Sequence, residues 1–443
     1  MEPNVLLIVC DSLNKALLDI YGGPAKTPNL HELLEDSVLY DNAIAPSSWT
    51  FPSHVSLFTG LYPNEHGVHE TEQIKLLDLA KLNFDLKATR LQSELSNRGY
   101  ISIGLSNNPM VSSVTGFDIG FDLFLSLDPF PANKNSKTFQ EAREMGSSQL
   151  QIALKLVKSG NFNKLIEFAK FRKNEKLVSK VNNFPLDKGA FNTNKMLENG
   201  NWRDKFFMFI NFLEVHEPYR NFKSKWVWDN VTGTKPISKD HVSLIKKEYI
   251  TEMEYLDLQI GRLLSNLKKA GKYDNTLIIV TSDHGQAMNE HGYMFHSTYL
   301  YDELTRIPLI IKYPNNKKFE PREGYQSLVK IYDLIKSIMD GGDDSVLFSE
   351  TAFSETYGTA SNNLPGGYNS KLEYFKKTHD KVRKSIYKKD YKLTVNGTDG
   401  TVEEFLYKDK PMPINENREI INELINELDI FKGKERFILP SLN

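Results

Sequence analysis

The apolar runs in this chain are short, dense and rich in β-branched or aromatic residues. Residues 5–10 (VLLIVC), Phe206–Phe212 (FFMFINF) and Thr276–Thr281 (TLIIVT) show almost no polar alternation. Such runs predict strands buried on both faces of a parallel sheet. Residues 307–311 and 346–348 are shorter strand candidates. Between the runs the period changes. TPNLHELLEDS reads as a helix, with Thr27 as its cap, Pro28 at its first position and Leu30, Leu33 and Leu34 on one face. Tyr249, Leu256, Ile260, Leu263, Leu264 and Leu267 recur at helical spacing, and Gly271 is a natural stop. Strands alternating with helices predict an α/β fold with a mostly parallel sheet flanked by helices.

Two stretches break that rhythm. Residues 134–195 are rich in Lys, Asn and Ser with amphipathic pieces such as LQIALKLVK. They read as a helical insertion near the mouth of the site, either solvated or substrate-facing. From about Ala352 short segments, YKKDYKLTV and EEFLYKD, are separated by Asn-Gly and Asp-Gly turns. These predict a smaller C-terminal α+β subdomain, a small antiparallel sheet closed by the helical stretch REIINELINEL. The expected division is a catalytic unit over 1–345 and this subdomain over 346–443.

Composition narrows the class. With 443 residues, 40% hydrophobic and 25% charged, the chain resembles a soluble globular enzyme with a large core. A net charge of −2 gives no case for nucleic acid or an anionic membrane as partner. Cys10, the only cysteine, excludes an intrachain disulfide and a cysteine zinc site. The first residues lack the basic start and cleavage site of a secretory signal, and no stretch has the length of a membrane span. The expectation is a cytoplasmic protein without stable membrane insertion.

Candidate chemistry gathers where the strands end. The first apolar run ends at Asp11, the second leads through Leu213-Glu214-Val215 to His216, and the third ends at Asp283-His284-Gly285. One such end alone could be a helix cap or a turn. Three of them on three buried strands point to a shared site at the carboxyl edge of the sheet. Asp11, Asp283 and His284 together supply two carboxylates and an imidazole, a donor set for one divalent cation; mixed oxygen and nitrogen ligation favours Mn, Zn or Mg over Ca. In SSWTFPSHVSLFTG, Pro52 suits a helix start, residues 53–59 would form the helix and Gly60 would end it. Thr50 then lies just ahead of a helix N-terminus. It is either an ordinary N-cap or a hydroxyl poised where an alkoxide and an oxyanion are favoured.

In order and wording these elements resemble the sulfatases of the alkaline phosphatase superfamily. TPNLHELLEDSVLYDNAIAPSSWTFPSHVSLFTGLYPNEHG looks like the sulfatase signature region, and TSDHG like the family's second metal motif. YDELTRIPLIIKYP and KSIYKKDYKLTVNGTDGTVEEFLYKD resemble its downstream landmarks, so that only residues 134–195 stand outside the likeness. The resemblance implies an alkaline-phosphatase-like fold and makes Asp11, Asp283 and His284 metal ligands. It puts Thr50 at the nucleophile position, where it could also bind the metal. It implies that His216 meets the anionic group or leaving oxygen, that His296 faces the anion, and that Asn107 and Asn108 lie on a substrate-side loop.

The sequence also departs from that pattern. Typical sulfatases oxidise a Cys or Ser to formylglycine, and the secondary hydroxyl of Thr50 cannot yield that aldehyde. His54 replaces an arginine, so its expected contact with substrate lacks a permanent charge. Ser12 stands where many sulfatases carry a second Asp. With a Thr nucleophile this ligand set is similar to the phosphodiesterases and phosphoglycerol transferases of the superfamily. The resulting expectation is a hydrolase that forms a covalent Thr50 intermediate, holds one divalent ion (Mn, Zn, Mg or Ca) and acts on a small-molecule, glycan or lipid ester. Phosphodiesters or phosphonate esters are expected ahead of sulfates. The alternatives are a phosphotransferase that passes a headgroup to an acceptor alcohol and a noncatalytic sulfatase-like binding protein.

Overall fold

The computed structural model describes residues 2–440 except 71–87, 127–185 and the short gaps 199, 201, 321, 361–363, 366, 432 and 434–436. The insertion expected over 134–195 therefore lies outside the described residues up to 185.

Seven strands build the main sheet: β1 (Asn4–Cys10), β2 (Val38–Tyr40), β3 (Ile101–Ser106), β4 (Leu123–Ser126), β5 (Phe206–Phe212), β6 (Thr276–Thr281) and β7 (Leu309–Lys312). Their spatial order is β2-β7-β6-β1-β5-β3-β4, and only β7 runs against its neighbours. β1 is central and buried along its whole length. Its even-numbered face, Leu6, Ile8 and Cys10, packs with Leu30 and Leu33 of α1 (Pro28–Leu34) and Ala190 and Leu197 of α3 (Ala190–Leu197). Leu256, Ile260, Leu263 and Leu267 of α4 (Lys239–Lys269) complete that layer. The other face, Val5, Leu7 and Val9, packs with Phe51, Val55 and Phe58 of α2 (Thr50–Thr59) and with Ile331, Leu334 and Ile335 of α5 (Lys330–Met339). Covering on both faces is why the central strands β1, β5 and β6 carry apolar residues at nearly every position. The expected class, a mostly parallel α/β sheet flanked by helices, is what the chain forms.

A second sheet follows. β8 (Thr351–Tyr357), β9 (Val382–Lys388), β10 (Tyr391–Asn396), β11 (Thr401–Tyr407) and β12 (Lys410–Pro411) form an antiparallel meander. Ile386, Leu393, Val395 and Phe405 bury their side chains against Ile421, Leu424 and Leu428 of α6 (Arg418–Phe431). β8 also braces the segment ahead of α2. Ser354 Oγ donates to Ala45 O at 2.7 Å, and Glu355 N donates to Pro46 O at 2.9 Å. That anchors the segment leading into Thr50.

Local details differ from the pattern reading. The helix expected over 53–59 begins at Thr50, with Trp49 as its cap. Pro52 is no obstacle in that first turn, where backbone N–H groups have no intrahelical acceptor. Thr27 precedes α1 but does not cap it by its side chain, because its hydroxyl donates to Asp19 instead. Of residues 346–348 only Phe348 enters a strand (Phe348–Ser349), after a 3-10 turn over Ser345–Leu347. The strand expected at 307–311 is shifted to Leu309–Lys312. Gly271 does follow the last turn of α4, at φ +66°. No helix among the described residues is long and apolar enough to cross a membrane.

The long α4 also reaches the carboxyl edge of the sheet. Tyr249 OH donates to Ser12 O at 2.5 Å and accepts from Asn14 N at 2.8 Å. Ser12 holds a left-handed backbone, φ +63°, so this clamp fixes an uncommon conformation directly after Asp11. Tyr249→Phe would leave two buried backbone groups without a partner. It should lower stability by about 2–3 kcal/mol in denaturant unfolding; an unchanged midpoint would show that the clamp carries nothing.

Candidate active site

Register brings the reactive residues together. β1 pairs in parallel with both β6 and β5, with Val9 opposite Thr281 and Cys10 opposite Phe212. The residues that follow those strands therefore emerge at the same edge. Asp11, Asp283 and His284 are all fully buried there, and their ligating atoms lie within 4.8 Å of one another. His284 Nε2 is 3.4 Å from Asp283 Oδ2 and 3.9 Å from Asp11 Oδ1. Its Nδ1 donates to Gly285 O at 2.8 Å, which fixes the proton there and leaves Nε2 with a free lone pair.

Each carboxylate is held from behind. Asp11 Oδ2 accepts from Asn108 Nδ2 at 2.6 Å, and its Oδ1 accepts from Ser12 Oγ at 3.0 Å. Asp283 Oδ1 accepts from Ser12 N and His284 N at 3.2 and 2.9 Å. Ser12, in place of a second aspartate, thus supports both carboxylates. Burial pushes Asp283 well above the usual carboxylate range, and the nearby Asp11 adds to the shift. Burial likewise drives His284 well below its ordinary value. Asp283 Oδ2 is buried and has no hydrogen-bond partner. An orphaned carboxylate oxygen beside an unprotonated imidazole nitrogen fits a divalent cation, which would offset the repulsion of the two acids.

Thr50 stands next to this cluster as the first residue of α2. Its Oγ1 lies 3.4 Å from Asp11 Oδ2 and 3.4 Å from His284 Nε2. The open side is lined by two further histidines. The side chains of His216 and His296 are 23% and 15% exposed, whereas those of His284 and Asp11 are sealed. The His296 ring lies 4.6 Å from that of His284 and 5.0 Å from that of His216, centre to centre. Burial lowers His296. Burial would also lower His216, but the carboxylates of Glu217 and Asp11 outweigh it and leave that ring raised.

Two of the expected substrate contacts sit elsewhere. Asn108 faces Asp11, but Asn107, one residue earlier, turns to the opposite side. Its Oδ1 accepts from Thr193 Oγ1 of α3 at 3.5 Å, and it fills the space a side chain at Gly189 would need. His54 is wholly buried one layer behind the site, edge-on to Phe117 and Phe209. Its Nδ1 donates to Thr50 O at 2.9 Å and lies 3.4 Å from Asp283 Oδ2, while its Nε2 accepts from Asn211 Nδ2 at 3.1 Å. It braces the start of α2 from a position that substrate does not reach. Glu217 and Gln286, which pattern reading passed over, join the site: Gln286 Nε2 donates to Glu217 Oε2 at 2.9 Å. The one signal available in the sequence was their place next to His216 and two residues after His284.

With this geometry in place, comparison with known proteins defines the class. The Sulfatase family matches residues 3–341. The chain belongs to the sulfatase family. It is 26% identical to iduronate 2-sulfatase of Mus musculus over 348 residues, covering 72% of this chain and 61% of that protein. It is 23% identical to an arylsulfatase of Clostridium perfringens over 382 residues, covering 77% and 75% of the two. The chain thus spans less than two thirds of the mouse iduronate 2-sulfatase it matches. Among solved structures, a phosphonate monoester hydrolase of Agrobacterium radiobacter superposes with a TM-score of 0.63 at 17% identity, covering 97% of this chain and 95% of that one. A 2-O GAG sulfatase superposes with a TM-score of 0.65 at 16% identity, covering 97% and 92%. At these identities the superpositions establish a shared fold.

The cluster makes a direct prediction. Wild-type protein should retain a divalent cation through purification, and Asp283→Ala should lose it, measured by elemental analysis. Full metal retention in Asp283→Ala would remove that residue from the ligand set.

Proposed function

We propose that this chain is a metal-dependent ester hydrolase whose nucleophile is Thr50. The observation that carries the reading is the position of Thr50 Oγ1, 3.4 Å from both the Asp11 carboxylate and His284 Nε2 at the first turn of a helix. A cation held by Asp11, Asp283 and His284, with Thr50 as a further ligand, would lower the pKa of the Thr50 hydroxyl and polarise an ester oxygen. Thr50 Oγ, its proton released to solvent, then attacks the phosphorus or sulfur in line, the bond to the leaving oxygen breaks, and a Thr50 ester remains. His216, whose pKa the carboxylates of Glu217 and Asp11 hold up against burial, gives its proton to the leaving oxygen and later accepts one from the attacking water. His296 and the first turn of α2 face the charge that spreads over the remaining oxygens.

Thr50 also orders the substrates. A threonine cannot provide the hydrated aldehyde on which formylglycine sulfatases rely, whereas an activated alkoxide suits phosphoryl transfer. Phosphodiesters or phosphonate monoesters therefore rank ahead of sulfates in this proposal, as small-molecule, glycan or lipid esters. Manganese, zinc, magnesium and calcium are all candidates for the ion. Cytoplasmic residence belongs to the same proposal, supported by a lone, buried Cys10 that leaves the fold no disulfide to form.

Two outcomes are expected. Thr50→Ala should fold and lower kcat by several powers of ten, while Thr50→Ser keeps substantial activity. A helix-start residue with no chemical role would instead cost about 1 kcal/mol of stability and leave turnover within tenfold of wild type. In steady-state assays with each cation, bis(nitrophenyl) phosphate or a nitrophenyl phosphonate should be turned over faster than nitrophenyl sulfate; robust sulfate release with negligible phosphoester turnover reverses the ranking.

A further inference from the structure

His216 and His296 lie on separate loops, and Glu217 and Gln286 stand between them. His216 Nδ1 donates to Glu217 O at 2.7 Å and lies 3.7 Å from Glu217 Oε2. Glu217 Oε2 accepts from Gln286 Nε2 at 2.9 Å. That same amide nitrogen donates to Tyr219 OH at 3.2 Å, and Gln286 Oε1 accepts from His296 Nδ1 at 2.7 Å. Gln286 is 1% exposed, and its backbone oxygen accepts from Asn14 Nδ2 at 2.8 Å. Its amide cannot be reversed, because its NH2 must face the carboxylate and its oxygen must then face a ring N–H. Both rings are therefore protonated at Nδ1, and Nε2 is the nitrogen each has left for chemistry.

The trio His216, Glu217 and His296 has the spacing of a cation site, with ligating atoms within 4.8 Å. Both Nδ1 atoms already donate to oxygen, which leaves each ring only its Nε2 for a ligand or a proton, as in His284.

We propose that Glu217 and Gln286 are a positioning pair, which fixes the tautomers and ring faces of His216 and His296 so that His216 can protonate the leaving oxygen. The inference rests on the hydrolase reading above. The Glu217 main-chain oxygen accepts from His216, while its carboxylate lies 3.7 Å from that ring and accepts from the Gln286 amide, so neutralising the carboxylate should loosen the acid's setting without touching Thr50 or the Asp11, Asp283 and His284 cluster. The consequence depends on the leaving group. A nitrophenolate departs without help, whereas an alkoxide needs a proton in the transition state.

The test compares two phosphodiesters or phosphonate monoesters that differ only in their leaving group, nitrophenol against a simple alkyl alcohol. Glu217→Gln should reduce kcat for the alkyl ester at least about tenfold more than for the nitrophenyl ester. A variant that is merely destabilised lowers both alike, and equal losses would overturn the assignment. A second readout needs no turnover. Nitrogen NMR of the histidine rings should show His296 protonated at Nδ1 in wild type and shifted to the Nε2 tautomer in Gln286→Leu, where its acceptor is gone. An unchanged His296 spectrum in that variant overturns the positioning role. A wild type that hydrolyses neither ester would instead refute the hydrolase reading, and the ring spectra would still decide whether the pair fixes the tautomers.

Discussion

Two carboxylates with no access to water are held side by side at the centre of this protein, and much of the surrounding structure exists to hold them. Asp11 lies one residue beyond β1 and Asp283 two beyond β6, and the parallel pairing of Val9 with Thr281 brings the two side by side. Their approach is a consequence of the sheet itself. Burying two like charges in an apolar edge is unfavourable unless a cation or a proton intervenes. The neighbours fit the cation. His284 is kept unprotonated at Nε2, Ser12 and Asn108 donate to the outer oxygens, and Asp283 Oδ2 is left unpartnered toward the cluster. The Tyr249 clamp holds the backbone after Asp11, and His54 holds the backbone of Thr50, from two opposite layers of the fold.

From that centre the functional asymmetry follows. The side of Asp11, Asp283 and His284 is sealed by the sheet, by α2 and by the residues behind them, while His216 and His296 keep partial exposure on the far side. In the proposed reaction a substrate approaches past these two histidines and meets Thr50 with its leaving group turned outward. Membership of the sulfatase family supplies the scaffold. The departures at Thr50, His54 and Ser12 are the positions on which the proposed function rests. His54 shows this most clearly. It sits where the family pattern has an arginine, yet its ring is packed between Phe117 and Phe209 and serves the backbone of Thr50.

Much of this arrangement was legible in the sequence because parallel strands buried on both faces leave an uninterrupted apolar signature. Runs such as FFMFINF and TLIIVT located β5 and β6 to the residue, and the polar groups just beyond them formed the site. Features set by side-chain direction were not legible. Asn107 and Asn108 are equivalent as letters, but alternation sends one to α3 and the other to Asp11. Proline at position 52 suggested a helix start near itself, whereas the helix admits it in its first turn and begins at Thr50. Glu217 and Gln286 belong to no apolar pattern, and only the folded loops show that they share a hydrogen bond.

The central claim is that Thr50 attacks the substrate, and the most direct measurement traps it in the act. Enzyme turning over a nitrophenyl phosphodiester or phosphonate would be quenched in acid, digested and analysed by mass spectrometry. The account predicts a substoichiometric phosphoryl or phosphonyl adduct on the peptide that contains Thr50, absent from Thr50→Ala. Unmodified Thr50 peptide in every quenched sample, together with an adduct on another residue or full turnover by Thr50→Ala, would contradict it.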